Sequence, residues 1–272
     1  MANDHIQQGD HMIGAIAGDI IGSVYEHNPL KSEGFPLFSD YSRFTDDTVM
    51  SLAVARAILE GGDYGQGMKS LGRIFPNAGY GGNFILWLAE DEIRPYNSWG
   101  NGSAMRVSPI GFAHDTEEDV LREAKNSAVI SHDHPEGIKG AQAVALAILL
   151  ARQGASKEQI RERISIEFIY DLDRTIDQIR PGYSFDVSCQ GSVPEGIIAF
   201  LDSTDYTSAI RKAVSLGGDS DTLACIAGAI AEAYYKEIPT LIQIETENRL
   251  PDILWKILEK FEKRYPCCGK GN

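Results

Sequence analysis

Three long stretches of the chain are apolar on nearly every helical face. They cover residues 48–62, 137–154 and 221–239, and each of them closes at a glycine or a proline. Glycine and proline at such positions end helices. A helix that is apolar all round lies in the interior of a large protein. The pattern therefore predicts three buried central helices.

Four further segments carry apolar residues at three- and four-residue spacing, which is typical of helices with one buried face. They cover residues 117–130, 156–168, 206–217 and 251–265. Strand signals are sparse, since residues 165–172 alternate only in part and read equally well as a helix end. The prediction is an all-α protein with a single compact domain of orthogonally packed helices over residues 13–265. Residues 1–12 form a disordered or vector-derived tail, and residues 266–272 form a polar tail.

Composition narrows the classes of function. The 272 residues carry a formal net charge of -14, whereas a nucleic-acid surface needs clustered lysine and arginine. The four cysteines give no disulfide framework, which favours a reduced, cytoplasmic protein. No apolar run reaches the roughly 20 residues that span a bilayer. We expect no nucleic-acid partner, no membrane association and a monomer.

Two loops place paired carboxylates in front of the most apolar helices. "RFTDDTVM" carries Asp46 and Asp47, and "GGDSDT" carries Asp219 and Asp221. Helix capping explains one aspartate per helix. It explains a pair less well, because the second carboxylate adds repulsion. The alternative is a cation site.

Hard-ligand chemistry fits these residues. Carboxylates, threonine hydroxyls and water suit octahedral Mg²⁺, and a pair of divalent cations needs several acids around it. The four aspartates supply four negative charges, with neutral oxygens from Thr45 and Thr222. Zinc is disfavoured, because no histidine or cysteine cluster accompanies the acids. Asp19, inside an apolar run that continues to Pro29, needs a polar partner if it is buried.

Two other loops are candidates for ligand binding. In "SWGNGSAMR" the glycines behind Trp99 allow backbone N–H groups to face an anion, and an indole stacks on a base; a plain turn is the alternative. Arg106 either adds positive charge there or forms a structural salt bridge. "SHDHPEG" places His132 and His134 in what is either a capped turn or part of a metal site that needs ligands from elsewhere.

Six motifs, in this order, resemble the ADP-ribosylglycohydrolase family: "GDIIGSVYE", "RFTDDT", "GYGG", "SWGNGSAMRVSPIG", "SHDHPEG" and "LGGDSDT...GAIAEAYY". They run from about residue 13 to residue 239. The resemblance implies the all-α fold of that family, two Mg²⁺ ions per chain (or Mn²⁺), and hydrolysis of the glycosidic bond between ADP-ribose and a modified acceptor. It also implies an ADP-ribosylated protein or small ADP-ribosyl compound as substrate, and ADP-ribose as product.

The resemblance assigns roles by position. The metal motifs are matched by Thr45, Asp46, Asp47, Asp219, Asp221 and Thr222. Glu26 matches an acidic position that assists catalysis. In the mechanism that we expect, Glu26, or alternatively Asp46 in the metal shell, takes the proton of a bound water. The diphosphate loop is matched by Gly100, Asn101, Gly102 and Ser103, with Ser98 just before it. Trp99 matches the aromatic residue that packs against adenosine. The turn near the distal ribose is matched by Gly79, Tyr80 and Gly81, and His132 matches a histidine of the ligand groove.

Two neighbouring positions depart from the family pattern. Asn97 and Ser98 stand where members acting on arginine often carry an acidic residue, which weakens the case for an arginine acceptor. Two other functions use the same acids. A two-metal phosphohydrolase would clamp a phosphoryl group between them, and an ADP-ribose-binding module would hold Mg²⁺ without turnover.

Overall fold

The computed structural model describes residues 12–266, in which fifteen helices and no β-strand are found. In chain order the helices are α1 Ile13–Gly22, α2 Asp46–Glu60, α3 Tyr64–Ile74, α4 Gly82–Ala89, α5 Gly102–Met105, α6 Ser108–Ala113, α7 Glu117–Ala128, α8 Pro135–Arg152, α9 Lys157–Phe168, α10 Ile176–Ile179, α11 Cys189–Leu201, α12 Tyr206–Val214, α13 Ser220–Tyr235, α14 Thr240–Glu247 and α15 Asp252–Arg264. The prediction of an all-α domain is confirmed.

The three apolar stretches form α2, α8 and α13, and α1 joins them at the centre. All ten residues of α1 and fourteen of the sixteen residues of α13 are buried. These two helices pack against each other more extensively than any other pair. Small residues permit that approach: a Cβ built on Gly18 would lie 2.1 Å from the carbonyl oxygen of Ala224. The outer helices α7, α9, α12 and α15 follow the predicted amphipathic segments.

Helix α1 ends earlier than the apolar run suggests. The run continues to Pro29, but the helix stops at Gly22. A Cβ on Gly22 would meet the backbone oxygen of Ser220 at 2.3 Å, so the chain passes the start of α13 at this point. There it turns away into an irregular segment. Glu26 therefore lies in a turn one helical turn beyond α1.

The irregular segment between α1 and α2, residues 23–45, is hydrogen-bonded to α12 and to the loops that precede α11 and α13. Lys31 Nζ donates hydrogen bonds to the carbonyl oxygens of Tyr183, at 2.6 Å, and Leu216. Arg211 Nη1 donates to the carbonyl of Phe35 at 2.7 Å. These contacts hold the segment that carries Glu26 close to the loop before α13.

The predicted tails fall almost wholly outside the described residues, as do Cys267 and Cys268. Met12, which the sequence prediction leaves in the N-terminal tail, is buried at 1% exposure. The other two cysteines, Cys189 and Cys225, are buried and free. Within residues 12–266, no helix combines the length and the apolar character that crossing a bilayer requires.

Candidate active site

A cavity of about 590 Å³ opens where the N-termini of α2 and α13 meet several irregular segments. Acidic side chains, glycines and aromatic rings line it. Its acids are Glu26, Asp46, Asp47, Asp219 and Asp221. Both predicted carboxylate loops thus reach one cavity, although 172 positions separate Asp47 from Asp219.

The N-terminus of α2 is capped by Asp19, a buried residue of α1. Its carboxylate accepts hydrogen bonds from Thr45 N at 2.9 Å, Thr45 Oγ1 at 2.7 Å and Thr48 N at 3.1 Å, and also from Thr48 Oγ1. Thr45 Oγ1 in turn accepts from Asp47 N at 3.3 Å. Asp19 thus has the polar partners that its burial requires. Because Asp19 and Thr45 cap the helix, the carboxylates of Asp46 and Asp47 remain available for another role.

Asp47 leaves one carboxylate oxygen without a partner. The residue is 2% exposed, and its Oδ2 accepts a hydrogen bond from Thr222 Oγ1 at 3.3 Å. Its Oδ1 is buried and makes no hydrogen bond. Buried polar atoms are nearly always paired. An unpaired carboxylate oxygen at the wall of a cavity is the donor that a divalent cation takes.

The second pair of acids adjoins Glu26. Carboxylate oxygens of Glu26, Asp219 and Asp221 lie within 4.8 Å of one another. Asp219 stands at the N-cap position of α13, but its side chain forms no capping hydrogen bond; its Oδ2 accepts from Asn101 Nδ2 at 2.7 Å. Capping therefore does not account for either pair. Glu26, predicted from sequence as catalytic, also stands among the possible metal ligands.

Burial keeps these acids from ionising easily. It raises the pKa of Asp46 to about 8, with a further contribution from the charge of Asp19. Burial likewise raises the pKa values of Asp47 and Asp221 well above their ordinary range, and raises that of Glu26. Clustered carboxylates that are largely buried require protons or cations for neutralisation. The donor set of oxygens fits a hard divalent cation.

The loop at residues 98–103 forms another wall. An isolated antiparallel bridge pairs Gly100 with Ser188, and Asn101 N donates to the carbonyl of Val187 at 2.8 Å. Gly100 N donates to Ser98 Oγ at 3.2 Å. Two amides of the predicted anion loop are thus already used within the protein.

The remaining predicted ligand residues divide into two groups. The cavity is lined by Gly79, Gly81, Ser98, Trp99, Gly100, Asn101, Gly102, His132 and Thr222. Three others lie behind the wall. Thr45 binds Asp19, Ser103 Oγ donates to the carbonyl of Gly137 at 2.6 Å, and the ring of Tyr80 packs 5.6 Å from that of Phe84.

Several lining residues have no individual role predicted from the sequence. These are Gly82, Asn83, Phe84, Tyr96, Met105, Phe185 and Val187. Phe185 and Val187 are 51% and 44% exposed and line the same cavity as Trp99, which is 47% exposed. Phe185 and Val187 are marked by their exposed apolar side chains at a cavity, and this signal appears only in the folded chain.

The contacts of Arg106 and His134 decide between the alternatives that the sequence left open for each. Arg106 is fully buried and forms no salt bridge within residues 12–266; its Nη2 donates to Ser127 O at 2.9 Å and Ser131 Oγ at 3.0 Å. His134 Nδ1 accepts from Glu136 N at 3.1 Å and caps α8. The capped-turn interpretation is correct for His134, and neither histidine of its motif joins a metal-ligand group in the described residues.

Comparison with known proteins places these features in a family. The family model described as ADP-ribosylglycohydrolase matches residues 10–266. Among curated proteins, the ADP-ribosylhydrolase ARH3 of Homo sapiens is 27% identical over 304 residues, covering 82% of this chain and 84% of that protein. ARH3 of Mus musculus is 28% identical, covering 87% and 86%.

A solved structure gives the same result for the fold. A chain titled "ADP-ribosylglycohydrolase-related protein complex" superposes with a TM-score of 0.71 at 22% identity, covering 93% of this chain and 95% of that one. Its helical architecture is therefore shared over nearly the whole length.

Proposed function

Since the chain belongs to the ADP-ribosylglycohydrolase family and is a glycohydrolase, we propose that it cleaves the bond between ADP-ribose and a modified acceptor with the help of two Mg²⁺ ions. The acceptor is a protein side chain such as arginine or serine, or the corresponding part of a related ADP-ribosyl compound. Mn²⁺ is the alternative metal.

One observation carries the proposal: acids from two distant segments and an unpaired oxygen meet in one cavity. Asp46, Asp47, Asp219 and Asp221 would hold the ions, with Thr222 and Glu26 in reach of the same space. Thr45 would contribute indirectly, since its hydroxyl is bound to Asp19. Bound Mg²⁺ would supply positive charge and Lewis acidity to water and sugar hydroxyl oxygens.

Glu26 is the candidate for proton transfer. Glycosidic cleavage breaks the bond from the anomeric carbon to the acceptor nitrogen or oxygen and forms a bond from that carbon to a water oxygen, through an oxocarbenium-like state. The proton that water loses goes to a carboxylate, and the acceptor gains a proton as it leaves. Glu26 is only half-buried and can exchange protons with solvent, and its raised pKa suits this exchange. Asp46 is the second candidate.

The rest of the cavity suits the ADP part of the substrate. A volume of about 590 Å³ lies in the range of small-molecule sites. Trp99 offers an exposed indole for stacking, and the glycine loop beside it lets the diphosphate approach the backbone. No lysine lines this cavity, so within the described residues recognition depends on neutral donors and Arg106.

No acid stands at Asn97 and Ser98, the two positions where members acting on arginine often carry one. Asn97 and Ser98 line the cavity, and Ser98 Oγ is used by Gly100 N. A guanidinium acceptor prefers a bidentate carboxylate. This favours an acceptor joined through a hydroxyl oxygen, such as serine.

The experiment measures the product. The purified chain is incubated with an ADP-ribosyl-serine peptide and an ADP-ribosyl-arginine peptide, with Mg²⁺, with EDTA, and with EDTA followed by excess Mg²⁺ or Mn²⁺. We expect free ADP-ribose with Mg²⁺, none with EDTA, and recovery on metal addition. AMP or phosphate would indicate the phosphohydrolase instead, and intact substrate held tightly would indicate a binding module.

A further inference from the structure

Three buried side chains form a hydrogen-bonded chain that ends under the glycine loop. Arg106 and Ser131 are fully buried, and His132 is 4% exposed. Arg106 Nη2 lies 3.0 Å from Ser131 Oγ, and Ser131 Oγ lies 2.8 Å from His132 Nδ1. The function proposed above gives Ser131 no role and uses Arg106 only as a source of positive charge.

The protons in this chain can be placed by counting donors and acceptors. A guanidinium group only donates, so Ser131 Oγ accepts from Arg106. The single hydroxyl proton of Ser131 then needs an acceptor. Within residues 12–266, His132 Nδ1 is the only other hydrogen-bond partner of that hydroxyl. Ser131 therefore donates to Nδ1, and the proton of the neutral imidazole resides on Nε2.

The Nε2–H group faces the loop that adjoins Trp99. A Cβ built on Gly102 would stand 3.0 Å from His132 Nε2, and one built on Gly100 would stand 3.7 Å from it. His132 and both glycines line the cavity. In the described part of the chain Nε2 makes no hydrogen bond to a protein group, so its proton is available to a ligand.

The imidazole stays uncharged. Burial and the neighbouring charge of Arg106 lower the pKa of His132 well below its ordinary value. The ring of Tyr96, with its centroid 5.9 Å away, shields another side. His132 therefore presents an uncharged Nε2–H donor to the cavity.

We propose that Ser131, itself held by Arg106, is a positioning residue that fixes His132 as the Nε2–H tautomer, so that a neutral imidazole donates a hydrogen bond to a phosphate oxygen of the substrate. The binding half of this inference rests on the proposed function. The other tautomer would present a lone pair to the anion at the same place and repel it. The arrangement gives anion recognition without adding a cation beside the acid cluster.

The tautomer can be read directly in the ligand-free protein. Long-range ¹H–¹⁵N correlation spectra of ¹⁵N-histidine-labelled protein at pH 7, with the His132 signals assigned through a His132→Gln variant, distinguish protonated from unprotonated ring nitrogens. We expect a protonated Nε2 and an unprotonated Nδ1 on His132. A proton on Nδ1, or on both nitrogens, would overturn the proposal whether or not the protein binds ADP-ribose.

Variants test the role of the serine. Ser131→Ala should produce a mixture of tautomers and weaken ADP-ribose binding about 10-fold, the loss of one hydrogen bond. Ser127→Ala is the matched control, since Ser127 is equally buried but its hydroxyl donates to Ala124 O at 3.0 Å; both spectrum and affinity should stay unchanged. His132→Gln places an amide donor near the Nε2 position, and Ser131→Ala added to it should cost little further affinity.

The outcomes separate the two proposals. Unchanged tautomer and affinity in folded Ser131→Ala, or an equal loss in Ser127→Ala, would refute the positioning role. If Ser131→Ala does not fold, the spectrum of the unmodified protein still decides the tautomer. Absence of ADP-ribose binding by the unmodified protein would refute the proposed function, while the spectrum would still decide the hydrogen-bonded chain.

Discussion

Thr222 Oγ1 donates a hydrogen bond to Asp47 Oδ2 across 3.3 Å, and so joins the first turns of two central helices. The two residues are 175 positions apart in the chain. Asp47 belongs to α2 and Thr222 to α13, and both helices start at the cavity. This contact brings together the two carboxylate motifs that the sequence repeats.

Removal of Asp219 should abolish catalysis without unfolding the protein. We expect Asp219→Ala to lower kcat/KM at least 100-fold, because the proposed metal site loses a ligand. The free energy of unfolding without metal should not fall, because the loss of one clustered carboxylate relieves repulsion. Activity assays and urea denaturation check both expectations.

Asp63 provides the matched control, because it is an N-cap aspartate that does cap. Its Oδ1 accepts from Gln66 N at 2.9 Å at the start of α3. Asp63→Ala should cost about 1 kcal/mol of stability and leave kcat/KM unchanged. A loss of stability with unchanged kcat/KM in Asp219→Ala would mean that Asp219 is a structural cap.

Glu26→Gln should separate proton transfer from binding. Glutamine keeps the size of the side chain and one oxygen that can bind a metal ion, but it cannot take up a proton. The value of kcat should therefore fall about 10²- to 10⁴-fold. The affinity for ADP-ribose, measured by calorimetry with Mg²⁺, should change less than about 5-fold. His27→Ala is the control, because its exposed ring lies 3.6 Å from Glu26. A loss confined to KM would contradict the catalytic role.

Trp99→Ala should weaken ADP-ribose binding. Stacking of a base on an aromatic side chain contributes about 1–3 kcal/mol, so Kd should rise roughly 5- to 150-fold. Trp99→Phe should retain most of the affinity. Leu241→Ala, at a position that is 68% exposed on α14, controls for the loss of surface apolar area. Equal affinity in Trp99→Ala and the parent would place the base elsewhere, with Phe185 as the next residue to test.

Stability should depend on pH through Glu232. This residue of α13 is 3% exposed; its Oε2 accepts from Gly14 N at 2.8 Å, and its Oε1 is buried without a partner. Burial raises its pKa well above the ordinary value. Between the pKa of Glu232 in the unfolded chain and its higher pKa in the folded protein, the folded state binds more protons than the unfolded state. The free energy of unfolding therefore declines as pH rises through this interval.

The Glu232→Gln variant isolates that contribution. It keeps an acceptor for Gly14 N but cannot ionise, so denaturation from pH 5 to pH 8 should show a flatter profile than the parent and greater stability at pH 8. Glu237→Gln, in the exposed turn after α13, should follow the parent. Parallel profiles for the parent and Glu232→Gln would contradict the assignment.

Much of the fold can be predicted from the sequence because its strongest signals are local. The apolar runs predict α2, α8 and α13 to within about one turn, since each run is bounded by residues that start or stop helices. Helix α11 gives no such signal, because Pro194 and two glycines interrupt it. Its burial between neighbours compensates for that weak intrinsic propensity.

The site is predictable only where the motifs mark it. Both aspartate pairs stand out because two carboxylates exceed what a cap needs. The partner of Asp19 and the position of Phe185 depend on contacts between distant segments, such as the bridge from Gly100 to Ser188. No periodicity in a single sequence encodes such contacts. The same holds for Glu26, whose approach to Asp219 follows from the early end of α1.

The central claim is that the two aspartate pairs together hold two divalent cations. Crystals grown with Mn²⁺ and ADP-ribose test it through anomalous scattering at the manganese edge. We predict two peaks in the cavity, bounded by Asp46 and Asp47 on one side and by Asp219 and Asp221 on the other, with a separation of about 3.5–4 Å. Absence of anomalous density, or ions that contact only one of the two pairs, would contradict the account.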